Sequence, residues 1–265
     1  MNLKESLLSK IRSFKLKHFE HFEGHQLINY KDIHKGRRCF IIGNGPSLCA
    51  DDLTKIKENG DITFAFNRIF HIFSDTEWRP TYYLSQDVQI LKLSVDELKQ
   101  LDCQTKFIPI QSKWYDGVNI EDAIYFNLST KDSQLYPSFS TDISKSVSIS
   151  NTVVYTAIQF AVYMGIKEIY LIGVDHHFRV SQNSNGDIIV DNTVKDYFSD
   201  KYNDDLLKMN WIPNTDESTY TYISGLNYSK TYGFRIYNAT RGGKLEVFER
   251  RNFDDLFSQS TNGNK

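Results

Sequence analysis

Seven short runs of apolar, β-branched and aromatic residues, at 39–42, 62–66, 81–84, 106–110, 123–126, 168–174 and 234–237, alternate with stretches of helical period. Runs of this length bounded by turn residues read as strands. Their alternation with helices predicts an α/β fold, a Rossmann-like, mostly parallel sheet with helices on both faces. The clearest helix follows Ser150-Asn151-Thr152, short polar residues able to cap free amides. Val153, Val154, Ala157, Ile158, Ala161 and Val162 then fall on one helical face. Gly165 stops this helix, and the apolar run through Val174 reads as a buried strand with Asp175 at its tip.

Two segments break the pattern. Residues 178–233 are rich in Asn, Asp, Ser and Tyr, open with a turn at Asn183-Ser184-Asn185-Gly186-Asp187, and show weak apolar periodicity apart from a helix near 204–209. Long irregular stretches in compact domains commonly serve as lids, so a lid-like insertion over the sheet edge is expected here. Before the first strand, Leu7, Leu8, Ile11 and Phe14 share one helical face beside several cations. That face suits an anionic membrane surface or a partner, the alternative being a helix docked on its own domain or lying solvated. The expected organisation is an N-terminal helical segment over 1–35, a Rossmann-like domain over 36–257 with its lid at 178–233, and a disordered tail at 258–265.

A chain of 265 residues can hold one main domain with a substantial core. Its 31 Lys and Arg nearly balance 33 Asp and Glu, so no overall field draws it to nucleic acid and a phosphate ligand must be held locally. Cys39, Cys49 and Cys103 form no CxxC pair, which argues for a reducing compartment and against a zinc site. No apolar run approaches the roughly 18 residues that span a bilayer, and the first twenty or so lack a signal-peptide core. The expected location is cytoplasmic, with peripheral contact at the inner membrane face through the N-terminal helix. The 16 Tyr and 18 Phe suit an aromatic core first, and sugar stacking or an oligomer interface second.

Candidate chemistry gathers where apolar runs stop. The first run gives way to Gly43-Asn44-Gly45-Pro46-Ser47, a strand, a tight glycine turn and a helix start. Two glycines let backbone amides approach a phosphate, and a helix N-terminus carries partial positive charge, so the turn is expected to cradle a nucleotide. It is neither a Walker loop nor a GxGxxG fingerprint. In open parallel sheets ligands bind beyond the carboxyl ends of the strands. The next runs deliver Asn67 and Arg68, then Ser85, Gln86 and Asp87, and lastly Asp175, His176 and His177. Asn and Ser suit a base or ribose, and Arg68 suits a phosphate. Imidazoles titrate near neutrality and serve as acid, base or phosphate partner. Neighbouring His residues on an extended backbone point apart and no further ligand set accompanies them, so no metal is expected there. Asp51-Asp52, Asp204-Asp205 and Asp254-Asp255 read as helix-start acids.

Ile41-Ile-Gly-Asn-Gly-Pro-Ser-Leu48, Asn67 at its strand end and Met164-Gly-Ile-Lys-Glu-Ile-Tyr-Leu-Ile-Gly-Val-Asp175 resemble the bacterial sialyltransferases of glycosyltransferase family 42. With Tyr237-Asn-Ala-Thr-Arg-Gly-Gly243 added, the chain resembles still more closely the 6-hydroxymethylpterin diphosphokinase-like family, many of whose members sit in surface-polysaccharide gene clusters. The similarity covers most of 36–257. The first resemblance implies a transferase that moves a sugar, sialic acid-like and CMP-activated, to a glycan acceptor hydroxyl without an obligatory metal. Gly43, Asn44, Gly45, Ser47, Asn67, Arg68, Ser85 and Asp87 would form the donor side together with Ser150, Asn151 and Thr152. His177 stands where that family has an aromatic pair that holds the leaving phosphate, leaving His176 or Asp175 as base. The family's own base lies in the lid, at a stretch matching the surroundings of Asp216, and this chain has no His after His177. The second resemblance implies diphosphate transfer from ATP to a pterin-like alcohol, with Mg²⁺ on Asp87 and Asp175. A non-enzymatic nucleotide-binding accessory protein is the third reading.

Overall fold

The computed structural model describes residues 3–129, 135–199 and 212–258. Five parallel strands, β1 (Arg38–Ile42), β2 (Ile62–Phe66), β3 (Tyr82–Leu84), β4 (Thr105–Pro109) and β5 (Ala123–Phe126), run outward in sequence order. A small two-stranded ladder, β6 (Leu128–Ser129) with β7 (Val147–Ser148), follows. The chain then returns to the middle, where β8 (Glu168–Ile172) pairs in parallel with the other side of β1. After a hairpin of β9 (Val180–Gln182) and β10 (Ile188–Val190), strands β11 (Arg235–Asn238) and β12 (Glu249–Arg250) complete the sheet. Its order is β12-β11-β8-β1-β2-β3-β4-β5, all parallel. The expected α/β, mostly parallel sheet is present, and each of the seven apolar runs contributes a strand. The order reverses between β1 and β8, which opens a crevice at their carboxyl ends.

The central strands are buried along nearly their whole length, as a sheet covered on both faces requires. Helices α1 (Leu3–Lys17), α2 (His25–Ile28), α3 (Ala50–Glu58), α4 (Val88–Leu93), α5 (Val95–Lys99), α6 (Ile110–Asp116), α7 (Val153–Tyr163) and α8 (Thr215–Tyr232) accompany the sheet. Aromatic rings fill much of the interior; Phe107 and Phe160 lie 4.8 Å apart between centroids, and Phe126 meets Phe160 edge-on. Thr152 is the residue that caps α7, its Oγ1 accepting from the Val154 amide at 3.3 Å. The run at 168–174 ends as a strand at Ile172, because Gly173 turns the chain with φ +63°.

The segment at 178–233 is more regular than its composition suggests. The turn at 183–187 closes the β9–β10 hairpin. Residues 200–211, with the helix expected near 204–209 and Asp204-Asp205, lie outside the described residues, as do 259–265 of the tail. Residues 215–232 form the 18-residue helix α8, capped by Asn214 and ended by Gly233 at φ +67°. Its buried face is built from Thr221, Tyr222, Ser224, Gly225 and Ser229. Hydroxyls of Ser218, Thr219, Thr221 and Thr231 donate to carbonyls four residues back, which lets small polar residues pack where Leu or Val would have been visible.

Candidate functional site

Three loops meet at Asp175. After β1 the chain runs across the turn that follows β8: the Gly43 amide donates to Ile172 O at 2.7 Å and Gly45 N to Gly173 O at 2.8 Å. Ser47 donates to Asp175 Oδ2 through Oγ at 2.7 Å and through its amide at 3.4 Å. A Cβ on Gly43 would lie 2.1 Å from Gly173 O, and one on Gly45 would lie 1.9 Å from Asp175 Oδ2. From the other side, Thr240 Oγ1 accepts from the Val174 amide, and Lys244 N donates to Asp175 O at 2.7 Å. A Cβ on Gly243 would come within 2.9 Å of the Asp175 Cα. The glycines of the first turn are therefore required by loop-on-loop contact, and the amides of Gly43, Gly45 and Ser47 already have protein partners. This corrects the expected phosphate cradle, whose anion position at Ser47 is taken by a carboxylate. Pro46 does not open a helix either, since α3 begins at Ala50. In its first turn Asp52 forms a bidentate pair with Arg241 at 2.8 and 2.9 Å.

At the switch point these loops border a cavity of about 190 Å³. Gly43, Asn44, Gly45, Asp175, His176 and His177 form one side. Asn67, Asp87, Asn151 and Thr152 form the other. Four residues expected here stand back from the lining. Ser47 holds Asp175 from behind, Ser85 is fully buried and bonds Asn67 Oδ1, Arg68 is buried beside Phe70, and Ser150 offers its carbonyl to Gln86. Asn44 Nδ2 donates to Phe66 O at 3.0 Å, which fixes the amide's orientation, and its buried Oδ1 has no hydrogen-bond partner. Asn67 adopts φ +56° where β2 ends, its carbonyl accepting from Tyr83 OH. Gln86 is gripped from two sides, donating to Ser150 O and accepting from Thr156 Oγ1 at 2.6 Å.

The two histidines take different partners, although the backbone at His176 is left-handed rather than extended as expected. His176, at φ +53°, turns toward α8, where a ring nitrogen lies 2.7 Å from Thr219 Oγ1 and the ring meets Tyr222 edge-on. Burial lowers its pKa to about 4, with Asp216 pulling weakly the other way, so the ring is neutral at pH 7. Burial also raises the Asp175 carboxyl above the ordinary range, partly offset by the bonds from Ser47. His177 faces the opposite way, its Nε2 3.1 Å from Asp191 Oδ2 and 3.2 Å from Lys244 Nζ. Asp191 is held by Thr193 and its carboxyl sits below the usual range, chiefly through those bonds. Asp216, at the start of α8, accepts from Ser184 N and Oγ and so fastens the hairpin turn to that helix.

Lys244 and Asp191 were not anticipated. Lys244 was accessible to the strand-end rule, since it follows Gly242 and Gly243, both at positive φ just beyond β11. Asp191 stands one residue past a hairpin strand and carries no sequence signal. Neither is among the residues that line the cavity, whereas Asp196, Tyr197, Ser218 and Tyr222 reach it from the 178–233 segment.

The Mg²⁺ of the diphosphokinase reading finds a poor donor set. Asp87 caps α4 by accepting from the amides of Gln89 and Ile90, and Asp175 accepts twice from Ser47. Among the described residues, no three His, Cys, Asp or Glu side chains gather as a metal site.

The neutral state of His176 has a consequence for stability. Above pH 6.5 the ring is neutral folded and unfolded, and its contribution is intact. As pH falls below 6.5 the unfolded chain takes the proton first, so stability is expected to drop until about pH 4. The slope from one such group reaches about 1.4 kcal/mol per pH unit. Urea unfolding of wild type and His176→Gln at pH 7, 6 and 5 checks this. Equal pH slopes in the two proteins would show that His176 is not a buried neutral ring.

No curated protein matches the chain. Among solved structures, MAf glycosyltransferase from Magnetospirillum magneticum AMB-1 aligns with 18% identity and a TM-score of 0.49, over 91% of this chain and 39% of its own. The chain thus spans about two fifths of that structure's length. Residues 13–181 match the family described as 6-hydroxymethylpterin diphosphokinase MptE-like. The match takes in both the 41–48 and the 164–175 blocks, reaches back into α1, and stops short of Tyr237–Gly243. The chain belongs to the MptE-like family.

Proposed function

We propose that this protein is a transferase that binds a nucleotide-activated sugar in the switch-point cavity and moves the sugar to an acceptor hydroxyl of a surface glycan. The observation that carries this reading is His177, which lines the cavity and has Lys244 Nζ 3.2 Å from its Nε2, the two residues standing on the loops that follow β8 and β11. Departure of a nucleotide leaves a phosphate whose charge grows in the transition state. A Lys ammonium and an imidazole N–H aimed there stabilise that charge more than they stabilise the intact donor. Asp191 contacts the same Nε2 at 3.1 Å and so orients the imidazole.

The nucleoside would lie against Asn44, Asn67, Asn151 and Thr152, whose amides and hydroxyl supply both donors and acceptors. For the acceptor's proton, His176 is neutral and so able to receive it, although a pKa of about 4 makes it a weak base. Asp175 is committed to Ser47 and joins three loops, so we assign it to positioning.

Thermal unfolding with CMP, UDP, GDP and ATP, each with and without Mg²⁺, tests the reading. A ligand at 100 times its Kd adds about 2.7 kcal/mol, which for a chain of this size raises Tm by roughly 5–10 °C. CMP is expected to do so without Mg²⁺. A rise with ATP alone, and only with Mg²⁺, would transfer the site to diphosphate chemistry. Binding of CMP with no turnover of any CMP-sugar would leave a nucleotide-binding accessory protein.

A further inference from the structure

The apolar face of α1 is uncovered. Leu7, Leu8, Ile11 and Phe14 expose between 41% and 60% of their surface, although they share one side of the helix. Self-docking on the domain, one of the expected alternatives, is therefore not what this face does. What anchors α1 is its last turns: Leu16 packs against the core, and its carbonyl accepts from Asn127 Nδ2. The remainder of the helix projects with its apolar side outward.

Charge surrounds that side in a specific way. Leu3–Lys17 contains five Lys or Arg and one Glu, while the whole chain carries a formal net charge of −2. At 100° per residue, Lys10 and Lys17 border the apolar stripe on one edge and Arg12 on the other, while Lys4 and Lys15 fall between Ile11 and Leu8. Aromatic rings hold two of these cations. The Arg12 guanidinium lies 4.8 Å above the Tyr115 ring, and Lys15 Nζ lies 5.8 Å from the ring of Trp114. Tyr115 is itself 54% exposed at the end of α6. An apolar stripe flanked on both edges by cations, with an aromatic residue at its border, matches a bilayer interface. Apolar side chains enter the acyl boundary, cations meet anionic headgroups, and Tyr prefers the level between them. An uncharged protein groove would leave the cations without partners, and water alone would leave the apolar side chains exposed.

We infer that α1 is a peripheral membrane anchor that lies in the plane of an anionic lipid surface, with Leu7, Leu8, Ile11 and Phe14 inserted and Lys10, Lys17 and Arg12 on the headgroups. No helix among the described residues is long and apolar enough to cross a membrane, and this one rests on the surface. The anchor is independent of the chemistry proposed at the cavity.

Co-sedimentation of the full chain with vesicles of phosphatidylcholine alone, or of phosphatidylcholine with phosphatidylglycerol, tests the anchor. Wild type is expected to bind the anionic vesicles at low salt and to be released as salt rises. Lys10→Glu with Lys17→Glu is expected to weaken this by about 10-fold or more, since each cation near an anionic leaflet contributes substantially. Ile11→Glu with Phe14→Glu should abolish it, and because these side chains are exposed, circular dichroism and Tm should stay at wild-type values. Equal partition to neutral and anionic vesicles, undiminished binding by either double variant, or no sedimentation of wild type would overturn the inference. So would light scattering that finds a wild-type dimer converted to monomer by Ile11→Glu with Phe14→Glu, because the face would then belong to a second copy.

Discussion

His177→Ala is expected to lower kcat by about 10²-fold or more, the usual effect of removing a transition-state donor, while changing donor Kd by less than about tenfold. Its Nε2 meets both Asp191 Oδ2 and Lys244 Nζ at the rim of the cavity, where the proposed reaction would place the departing phosphate. Lys244→Ala should act in the same direction. Two groups that stabilise one oxygen do not act independently, so the double variant is expected to lose less than the product of the single losses. Steady-state kinetics on the CMP-sugar selected by thermal shift, with donor affinity measured separately, gives both quantities. Near-normal turnover by His177→Ala would remove the phosphate-stabilising role and leave a nucleotide-binding fold.

The second large effect concerns folding. Gly45→Ala is expected to cost about 3 kcal/mol, the upper part of the range for overpacking, because its Cβ would overlap Asp175 Oδ2 at 1.9 Å and crowd Gly173 O at 2.8 Å. Asp175→Ala removes one of these obstacles. Gly45→Ala made in an Asp175→Ala background should therefore cost distinctly less than in wild type, while the contact with the Gly173 carbonyl keeps part of the penalty. Urea unfolding of the four proteins closes the cycle. Additive losses would mean that the loops do not meet at this point, and loss of nucleotide binding with unchanged stability would restore the amide cradle.

That contrast shows what the sequence made legible. The sheet could be read because its strands are buried on both faces and therefore appear as uninterrupted apolar runs. The switch point could be read because polar residues follow several of those runs directly. Helix α8 was hidden, since its buried positions are Ser, Thr, Gly and Tyr, and hydroxyl bonds to the preceding turn replace an apolar stripe. The strand ends gave the right neighbourhood but not the division of labour within it. Gly43, Gly45 and Ser47 share their pattern with phosphate loops, yet here the pattern answers to the closeness of β8's turn, a distance between segments some 130 residues apart that no local spacing encodes. Arg68 follows its strand as expected but is buried beside Phe70, because one residue at positive φ, Asn67, redirects the chain. Asp191 reaches His177 only because the hairpin folds back, and periodicity cannot announce that.

Asn44 gives the cavity a preference of its own. Its amide nitrogen is committed to Phe66 O, so the orphaned oxygen cannot be exchanged for a donor by flipping the side chain. An incoming molecule that brings an N–H or O–H within reach completes a bond that the protein leaves open, whereas one that brings a carbonyl meets lone pair against lone pair. Cytosine and uracil differ in this way at two adjacent edge positions, an amino group beside a bare N3 in the first and a carbonyl beside an N3–H in the second. In the nucleotide site proposed above, one fixed acceptor would therefore read which of those two positions carries hydrogen, in two pyrimidines of nearly identical shape.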